Sequence, residues 1–399
     1  MYHQNDDYWV SQYNETPEVR QSAWPKQPVE IHDATLRDGE QTPGVVFSPD
    51  DKLKIAEQLV AAGVTRIEAG MPAVSEDDRK AIKAISHRLP EANLYAFVRA
   101  TRGDIDLAAE SGVNGVVIEA PIGKPKLLYQ FGWTWQTVLE KSLDSIAYAR
   151  QQGLKVTFFP YDTTRADPED LEGLLTGVAQ NARPDAVGLV DTMGCALPPT
   201  IAYMVRWIKK LTDDLPVEVH CHNDFGMATA CELAGAAAGA SVLHACVNGI
   251  GERTGNAATE ELAFAMTLLF QMDTPYRWDK MRELCATVAQ LSGIPIAQNK
   301  PFSGDRNFMR ESGIGSNLVI EKPLAMFAVN PAFIGATPFM VLGKKSGKTS
   351  VEFCLDKIGV QATGEQVDAI LERVKALGTQ KKRLVTDDEF AAIVKDIVK

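Results

Sequence analysis

Two histidines separated by a single residue are the part of this sequence best suited to chemistry. His220 and His222 follow the strand-forming residues 217–219. Side chains two positions apart on a strand share a face, so the two imidazoles would point the same way. Imidazoles presented together in this way commonly bind a divalent metal ion. The segment therefore predicts a metal site at the end of a strand.

A charged turn near the start of the chain supplies complementary groups. Residues 31–41 begin as a strand and end in a polar turn that contains Arg37 and Asp38. Asp38 is the best carboxylate ligand for the same metal ion. Arg37 could hold a carboxylate or a developing enolate oxygen, because a guanidinium can donate two parallel hydrogen bonds. A carboxylate beside a fixed cation suits a metal that binds an anionic oxygen substrate.

Two further segments belong to the same candidate site. Glu68 ends the second predicted strand and could hold Arg37 or a water on the metal, or it could simply pair with Arg66. Residues 249–255 contain three glycines in seven positions, which predicts a loop whose backbone approaches a ligand closely. Asn256 could supply a fourth, oxygen ligand from this loop. Alternatively, the loop is flexible and caps the next helix.

Eight strand patterns that alternate with helical patterns must position these side chains. The predicted strands are 29–33, 66–69, 94–98, 115–119, 155–159, 186–191, 217–222 and 242–248. This number of units predicts an α/β fold, a TIM (β/α)8 barrel followed by a smaller, mostly helical C-terminal region. Ring closure would bring strands 1 and 7 close together, which a competing doubly wound open sheet would not obviously do. No G-x-G-x-x-G follows the first strand, which weakens the dinucleotide-binding form of that sheet.

The length of 399 residues suggests one large domain with a smaller appendage. The pattern along the chain divides it into four parts. They are an N-terminal extension at 1–28, the catalytic barrel at 29–271, an irregular linker or subdomain at 272–345, and a small helical subdomain at 346–399.

Composition narrows the possible partners and compartments. The net charge of −11 argues against nucleic acid and against an anionic membrane surface as partners. The sequence has no apolar run of the ~20 residues that a membrane span needs. Residues 1–28 lack the basic start and the apolar core of a signal peptide, so we expect a cytoplasmic protein.

Three segments, in this order, carry a resemblance to a known family. Residues 33–41, 220–224 and 249–256 together resemble the DRE-TIM metallolyase superfamily, and are most similar to 2-isopropylmalate, homocitrate and citramalate synthases. The resemblance implies a TIM barrel that binds a divalent metal. In that family the metal chelates a 2-oxo acid, and the enolate of an acyl-CoA attacks the carbonyl of this acid.

The resemblance also implies roles for individual residues. The implied metal ligands are Asp38, His220, His222 and Asn256. Arg37 would bind and polarise the keto oxygen, Glu68 would be a catalytic acid, and Thr192 would contact the carboxylate of the 2-oxo acid. The implied acyl donor is acetyl-CoA, and the implied assembly is a homodimer. The oxygen and nitrogen ligands themselves permit Mg, Mn, Co or Zn.

The chain departs from the synthase pattern in the residues that would transfer protons. Tyr161 stands where the synthases usually carry a glutamate after strand 5. Residues 309–315 lack the histidines of the matching synthase segment, and Lys345 stands where another histidine is usual. Tyr161, Asp162 or Glu311 could substitute for these groups.

Three residues at the ends of predicted strands 3, 4 and 5 are expected to shape the pocket for the 2-oxo acid: Arg99, Glu119 and Tyr161. Arg99 is the candidate to bind the substrate, and Tyr161 is the candidate for catalysis.

The leading hypothesis is therefore a metal-dependent acyltransferase that condenses an acyl-CoA with a 2-oxo acid. The missing glutamate and histidines favour an alternative, a lyase or aldolase of the hydroxymethylglutaryl-CoA lyase type. Against it, residues 249–256 contain no cysteine, whereas the loop of that lyase carries one. A second alternative is a non-catalytic barrel that only binds a 2-oxo acid.

Overall fold

The computed structural model describes residues 3–313 and 315–398. Residues 1, 2, 314 and 399, which fall within the predicted extension, linker and C-terminal subdomain, lie outside the described residues. The chain forms two compact units. One is Tyr13–Ile296, and the other comprises the described parts of Met1–Gln12 and Ala297–Lys399. The predicted boundaries at residues 28, 271 and 345 stay predictions.

The first unit contains eight parallel strands that close into a barrel in sequence order. The strands are β1 Glu30–Asp33, β2 Arg66–Glu68, β3 Asn93–Arg99, β4 Gly115–Pro121, β5 Lys155–Tyr161, β6 Ala186–Asp191, β7 Val217–Cys221 and β8 Val242–Ala245. Closure is made by β1 and β8, where Asp33 lies opposite Ala245. The predicted (β/α)8 barrel is therefore confirmed. The competing open sheet is wrong, because both edges of the sheet are paired with each other.

Ten helices of seven or more residues follow or surround these strands in the described part of the first unit. They are α1 Pro17–Ala23, α2 Pro49–Ala61, α3 Glu76–Arg88, α4 Arg102–Glu110, α5 Trp135–Gln151, α6 Pro168–Asn181, α7 Pro198–Leu211, α8 Ala228–Ala237, α9 Thr259–Leu268 and α10 Trp278–Ser292. Local sequence explains their ends. Ser48 caps α2 by accepting a hydrogen bond from the Asp51 amide, and a proline occupies the first turn. After α2, Gly63 adopts a φ of +93°, which ends the helix before β2 begins.

Inward-facing side chains fill the barrel in layers. Arg66 on β2 donates hydrogen bonds to Glu218 on β7 (2.6 Å) and to His32 on β1 (2.9 Å). Glu218 also accepts from His244 on β8 at 2.9 Å. Groups from distant strands can meet only inside the ring, so these four side chains form a buried polar layer. Their charges are tolerated because each one is paired.

An apolar layer is built from other inward-facing positions. Phe97, Val117, Phe159 and Val190 form one buried cluster with Tyr95, and Tyr161 packs against it. On each strand the next residue but one faces the same way. The next inward-facing positions after the apolar layer therefore lie at the carboxyl ends of the strands. Active sites of TIM barrels lie at these ends.

The second unit has its own core. Its helices are α11 Ser316–Glu321, α12 Lys348–Lys357, α13 Gly364–Lys381 and α14 Asp387–Ile397, and two short parallel strands, Met309–Arg310 and Phe339–Met340, pair beside them. Leu355, Ile370 and Phe390 are among the residues that pack together from α12, α13 and α14. The Trp9 amide donates to the Ala328 carbonyl at 2.8 Å, so the start of the described chain belongs to this unit. Among the described residues, no helix combines the length and apolar character that a bilayer crossing requires.

Candidate active site at the carboxyl ends of the strands

The turn after β1 is held by a dense set of hydrogen bonds. The Ala34 carbonyl accepts from the amides of Arg37 (3.1 Å) and Asp38 (2.8 Å). The buried Asp33 carboxylate accepts from the Thr35 amide at 2.9 Å and from the Thr259 hydroxyl at 2.6 Å. The backbone of the turn is thereby tied to the barrel, which positions Arg37 and Asp38 directly beyond the end of β1.

The histidine pair meets Asp38 across the barrel mouth. Asp38 Oδ2 lies 3.2 Å from His220 Nε2 and 3.7 Å from His222 Nε2, and the two Nε2 atoms are 3.4 Å apart. All three side chains are buried. Between the histidines, the Cys221 amide donates to Glu232 Oε1 at 2.8 Å. The structure therefore brings the acid from β1 and the two imidazoles from β7 to one point.

These residues fit a divalent metal ion. The Oδ1 atoms of Asp38 and Asn256 are buried and have no hydrogen-bond partner among the described residues. A buried acceptor without a donor costs about 1–3 kcal/mol, a cost that a cation would remove. Asn256 Nδ2 donates to the Ile250 carbonyl at 3.2 Å, which orients the amide. Two oxygen and two nitrogen donors suit Mg, Mn, Co or Zn.

Protonation states agree with this fit. Burial lowers the pKa of His222 to about 4, although Asp38 opposes the shift. Burial also lowers the pKa of His220, so both imidazoles are neutral at pH 7 and can offer a lone pair. Burial raises the pKa of Asp38, but Arg37 and the two histidines outweigh it and bring the pKa well below its usual value. The carboxylate is therefore ionised.

The glycine-rich loop approaches these ligands closely, as its composition predicts. Gly251 has a φ of +152°, and a Cβ atom there would lie 2.2 Å from Asn256 Nδ2 and 3.2 Å from Asp38 Oδ1. A side chain at this position would displace the amide. Asn256 itself forms an isolated bridge with His222, which places the loop beside β7.

Arg37 is held rigidly by two carboxylates. Its Nε donates to Glu68 Oε1 at 2.7 Å, its Nη2 to Glu68 Oε2 at 3.3 Å and its Nη1 to Asp38 Oδ2 at 2.8 Å. The guanidinium also lies over the ring of Phe97, 4.2 Å from its centroid. Glu68 is thus a bidentate partner that fixes the plane of the guanidinium.

The environment of Glu68 determines its charge and its partner. Burial raises its pKa, but Arg37 and His32 outweigh burial and lower the pKa to about 2. An acid that is always ionised at neutral pH and fully engaged is a positioning group and a poor proton carrier. The alternative pairing of Glu68 with Arg66 is wrong, because Arg66 reaches the deeper Glu218 instead.

The other predicted site residues are Thr192, Tyr161 and Arg99. The Thr192 hydroxyl accepts from the Asp162 amide at 2.7 Å beyond β6, and Tyr161, the last residue of β5, packs on the apolar layer. The structure does not bring Arg99 to the histidine cluster. Its guanidinium holds Asp104 through bonds of 2.8 and 2.9 Å, and its side chain is 61% exposed. The role of Arg99 in substrate binding stays a prediction.

Several residues around the site were missed by the sequence interpretation. They are Glu232, which restrains the end of β7, and the polar layer of His32, Glu218 and His244. One signal was available. Glu218 alternates with His220 and His222, so a period of two already placed all three on one face of the strand.

A closed (β/α)8 barrel with an Asp–His–His cluster, a braced guanidinium and an amide at the carboxyl ends of its strands defines a TIM-barrel metalloenzyme. The comparisons with known proteins are more specific. The chain belongs to the HMGL-like family, whose model matches residues 28–288. A second model, described as homocitrate synthase post-HMGL domain-like, matches residues 302–382. The family resemblance drawn from the three motifs is therefore confirmed, and the protein is an enzyme of this metal-dependent family.

Relatives match nearly the whole chain. Homocitrate synthase AksA of Methanopyrus kandleri is 39% identical over 380 residues, which is 95% of each chain. A probable 2-isopropylmalate synthase of Ignicoccus hospitalis is 39% identical over 94% of this chain and 93% of its own. The (R)-citramalate synthase CimA of Methanocaldococcus jannaschii is 38% identical over 92% of this chain and 74% of its own.

Solved structures agree on the fold. Hydroxymethylglutaryl-CoA lyase from Pseudomonas aeruginosa superposes with a TM-score of 0.60 at 22% identity. The match covers 69% of this chain and 96% of the lyase chain. At this identity the likeness concerns the barrel architecture alone, so it does not favour the lyase alternative.

Proposed function

We propose that the protein is a divalent-metal-dependent synthase that condenses acetyl-CoA with a 2-oxo acid. The observation that carries the proposal is the convergence of Asp38, His220, His222 and Asn256 beside a guanidinium held by Glu68. The relatives at 38–39% identity, which are named as synthases of this kind, support it. The lyase alternative has only fold-level support.

The ligand set would hold Mg, Mn, Co or Zn. When bound, such an ion polarises a carbonyl as a Lewis acid. The chain contributes the rest of the oxyanion stabilisation. Arg37 has five N–H groups, of which its hydrogen bonds with Glu68, Asp38 and Gln41 use four. The remaining N–H would donate to the keto oxygen as negative charge develops there.

Thr192 is a candidate for the carboxylate of the 2-oxo acid. Its oxygen accepts the Asp162 amide hydrogen, so the hydroxyl proton remains available to donate to an anion. Glu68 keeps Arg37 in one orientation and does not exchange a proton itself. Tyr161 is less suited to act as a base, because burial raises the pKa of its phenol, and nearby Glu119 raises it further.

The overall reaction balances with water as the third reactant. The α-carbon of the thioester loses a proton and forms a bond to the keto carbon, whose oxygen takes the electron pair and a proton. Water then cleaves the thioester, which releases CoA as the thiol and leaves a hydroxy acid with one carboxylate more than the 2-oxo acid. The identity of the 2-oxo acid decides the product.

The test is a panel assay. The purified full-length protein would be incubated with acetyl-CoA, one of four divalent metals, and pyruvate, 2-oxoisovalerate or 2-oxoglutarate. We expect thiol release that requires both the metal and one of the acids, with Asp38→Asn as the inactive control. No release with any combination, together with cleavage of hydroxymethylglutaryl-CoA, would favour the lyase instead.

The homodimer and the cytoplasmic location stay predictions. Light scattering on the purified protein would measure the mass in solution and test the first of them directly.

A further inference from the structure

One carboxylate at the barrel mouth is not used by the proposed ligand set. On β4, Val117 faces the apolar layer with Phe97 and Phe159. Glu119 is two residues further along the strand and therefore faces the same interior, one layer nearer the mouth. In the sheet, Glu119 lies opposite Arg99 of β3 and Phe159 of β5.

Glu119 lines a cleft of about 400 Å³ with an aromatic wall. The wall includes Phe131 and Trp133, whose ring centroids are 4.7 Å apart, and Tyr161. Within residues 3–313 and 315–398, no group donates a hydrogen bond to the Glu119 carboxylate. Arg99 borders the same cleft, but its guanidinium is occupied by Asp104.

Charged and titratable groups from several elements surround Glu119, and Lys141 of α5 and Tyr161 of β5 line the same cleft. Arg37 after β1, Arg99 on β3 and Lys126 after β4 favour its charged form, whereas Glu68 on β2 opposes it. Burial is the largest influence and raises the pKa of Glu119 to about 7. The Arg37 guanidinium lies over Phe97, which belongs to the same apolar layer as Val117, so Arg37 and Glu119 both lie at the mouth end of this layer.

Two other acids near the strand ends form hydrogen bonds with arginines. Glu68 binds Arg37, and Asp162 binds Arg165 through two bonds of 2.8 and 2.7 Å. Among the carboxylates that the structure describes on β2, β4 and just beyond β5, Glu119 alone is half-buried in this cleft and accepts no hydrogen bond. A free carboxylate that is partly protonated at neutral pH can both accept and return a proton.

We propose that Glu119 is the general base that removes the α-proton of the acyl thioester, in the place left by the glutamate missing at position 161. The inference rests on the proposed function. The carboxylate takes the proton, and the C–H electron pair forms the enolate. The enolate carbon bonds to the keto carbon of the 2-oxo acid, whose oxygen receives the electron pair. The proton on Glu119 then returns to that oxygen, which restores the carboxylate.

Glu119→Gln tests the role because it preserves the shape of the side chain and removes the base. With acetyl-CoA and the 2-oxo acid that supports thiol release, we expect kcat to fall by about 10²–10⁴-fold, the usual contribution of a general base. Binding of the metal and of the 2-oxo acid, measured by calorimetry, should not change. The matched control is Glu110→Gln, which removes an exposed carboxylate at the end of α4 and should leave the rate unchanged.

Three readouts separate a base from a structural group. The wild-type kcat should decline as the pH falls below about 7, and Glu119→Gln should lack this decline. Acetyl-CoA with a deuterated methyl group should show a larger isotope effect in Glu119→Gln, because proton removal becomes rate-limiting. Glu119→Ala should regain activity when formate is added, which supplies a carboxylate to the cleft.

The outcomes distinguish the two proposals. Wild-type protein that releases no thiol from acetyl-CoA with any acid overturns the proposed function, and the role of Glu119 falls with it. If Glu119→Gln releases thiol at a rate within fivefold of the wild type, and its rate still declines below pH 7, only the role of Glu119 is overturned. If Glu119→Gln does not fold, Glu119→Asp and the wild-type pH profile decide: a wild-type rate that does not fall below pH 7 counts against the base.

Discussion

The hydrogen bonds between Arg37 and Glu68 should contribute both to catalysis and to the stability of the fold. The variant Arg37→Met tests both contributions, each with its own measurement. Methionine keeps an unbranched side chain over Phe97 and removes the charge. If the guanidinium stabilises the developing oxyanion, kcat/KM should fall by about 10²–10³-fold, or roughly 3–4 kcal/mol. The ligand atoms of Asp38 and the two histidines remain in place, so the protein should still bind a divalent metal.

The cost to stability follows from the charge of Glu68. In the folded protein its pKa is about 2, compared with an ordinary 4.5. The difference of about 2.5 units corresponds to about 3 kcal/mol at 1.36 kcal/mol per unit; it is the net result of Arg37 and His32, which lower the pKa, and of burial, which raises it. A lowered pKa stabilises the fold above pH 4.5, and this stabilisation is lost as the pH falls towards 2. The free energy of unfolding of the wild type should therefore exceed that of Arg37→Met by about 3 kcal/mol at pH 7, and by less in acid.

Urea denaturation at pH 7 and pH 4 measures this difference, and thiol release measures the rate. The double variant Arg37→Met/Glu68→Gln removes both charges, so it should regain stability without regaining activity. Arg102→Met, which removes an exposed arginine paired with Asp144, is the matched control and should match the wild-type rate. The reasoning is refuted if metal-loaded Arg37→Met keeps kcat/KM within about tenfold of the wild type.

Two further predictions concern the metal ligands and the buried polar layer. Asp38→Asn should weaken Mn²⁺ binding in calorimetry by more than the ~10–100-fold typical of changes to outer-shell partners, because it removes the only negative charge of the ligand set; undiminished affinity would exclude Asp38 as a ligand. Glu218→Gln should lower the free energy of unfolding by about 3–5 kcal/mol, since Arg66 would stay buried without its carboxylate. Urea denaturation measures this loss, and a loss below about 1 kcal/mol would contradict the pairing.

Local sequence patterns were sufficient to predict the barrel and to place its main polar residues at the ends of strands. Eight strand patterns separated by helices, with glycines such as Gly63 at the breaks, predicted both the fold class and closure. His220 and His222 could be assigned to one face because the period of a strand is two. Asp38 could be joined to them only by assuming a ring, and the pairing of β1 with β8 supplies that ring.

Partner choice between charged side chains was less predictable. Glu68 and Arg66 are neighbours on one strand, yet Glu68 binds Arg37 and Arg66 binds Glu218 from across the barrel. Arg99 ends its strand at the mouth, yet it turns to Asp104 at the start of α4. Long side chains can reach several partners, and the distances that select among them are not encoded in local patterns.

By itself, the sequence determined the period, order and number of the strands, and hence which residue types reach the carboxyl ends of the strands. Only the tertiary structure decided which of these groups are already satisfied and which are left without a partner. Asp38 and Asn256 keep buried oxygens free to bind a cation, and the half-buried Glu119 lines its cleft with no hydrogen-bond donor among the described residues. The reason is physical: burial and hydrogen bonding depend on atoms that are distant in the chain, whereas periodicity depends only on neighbours.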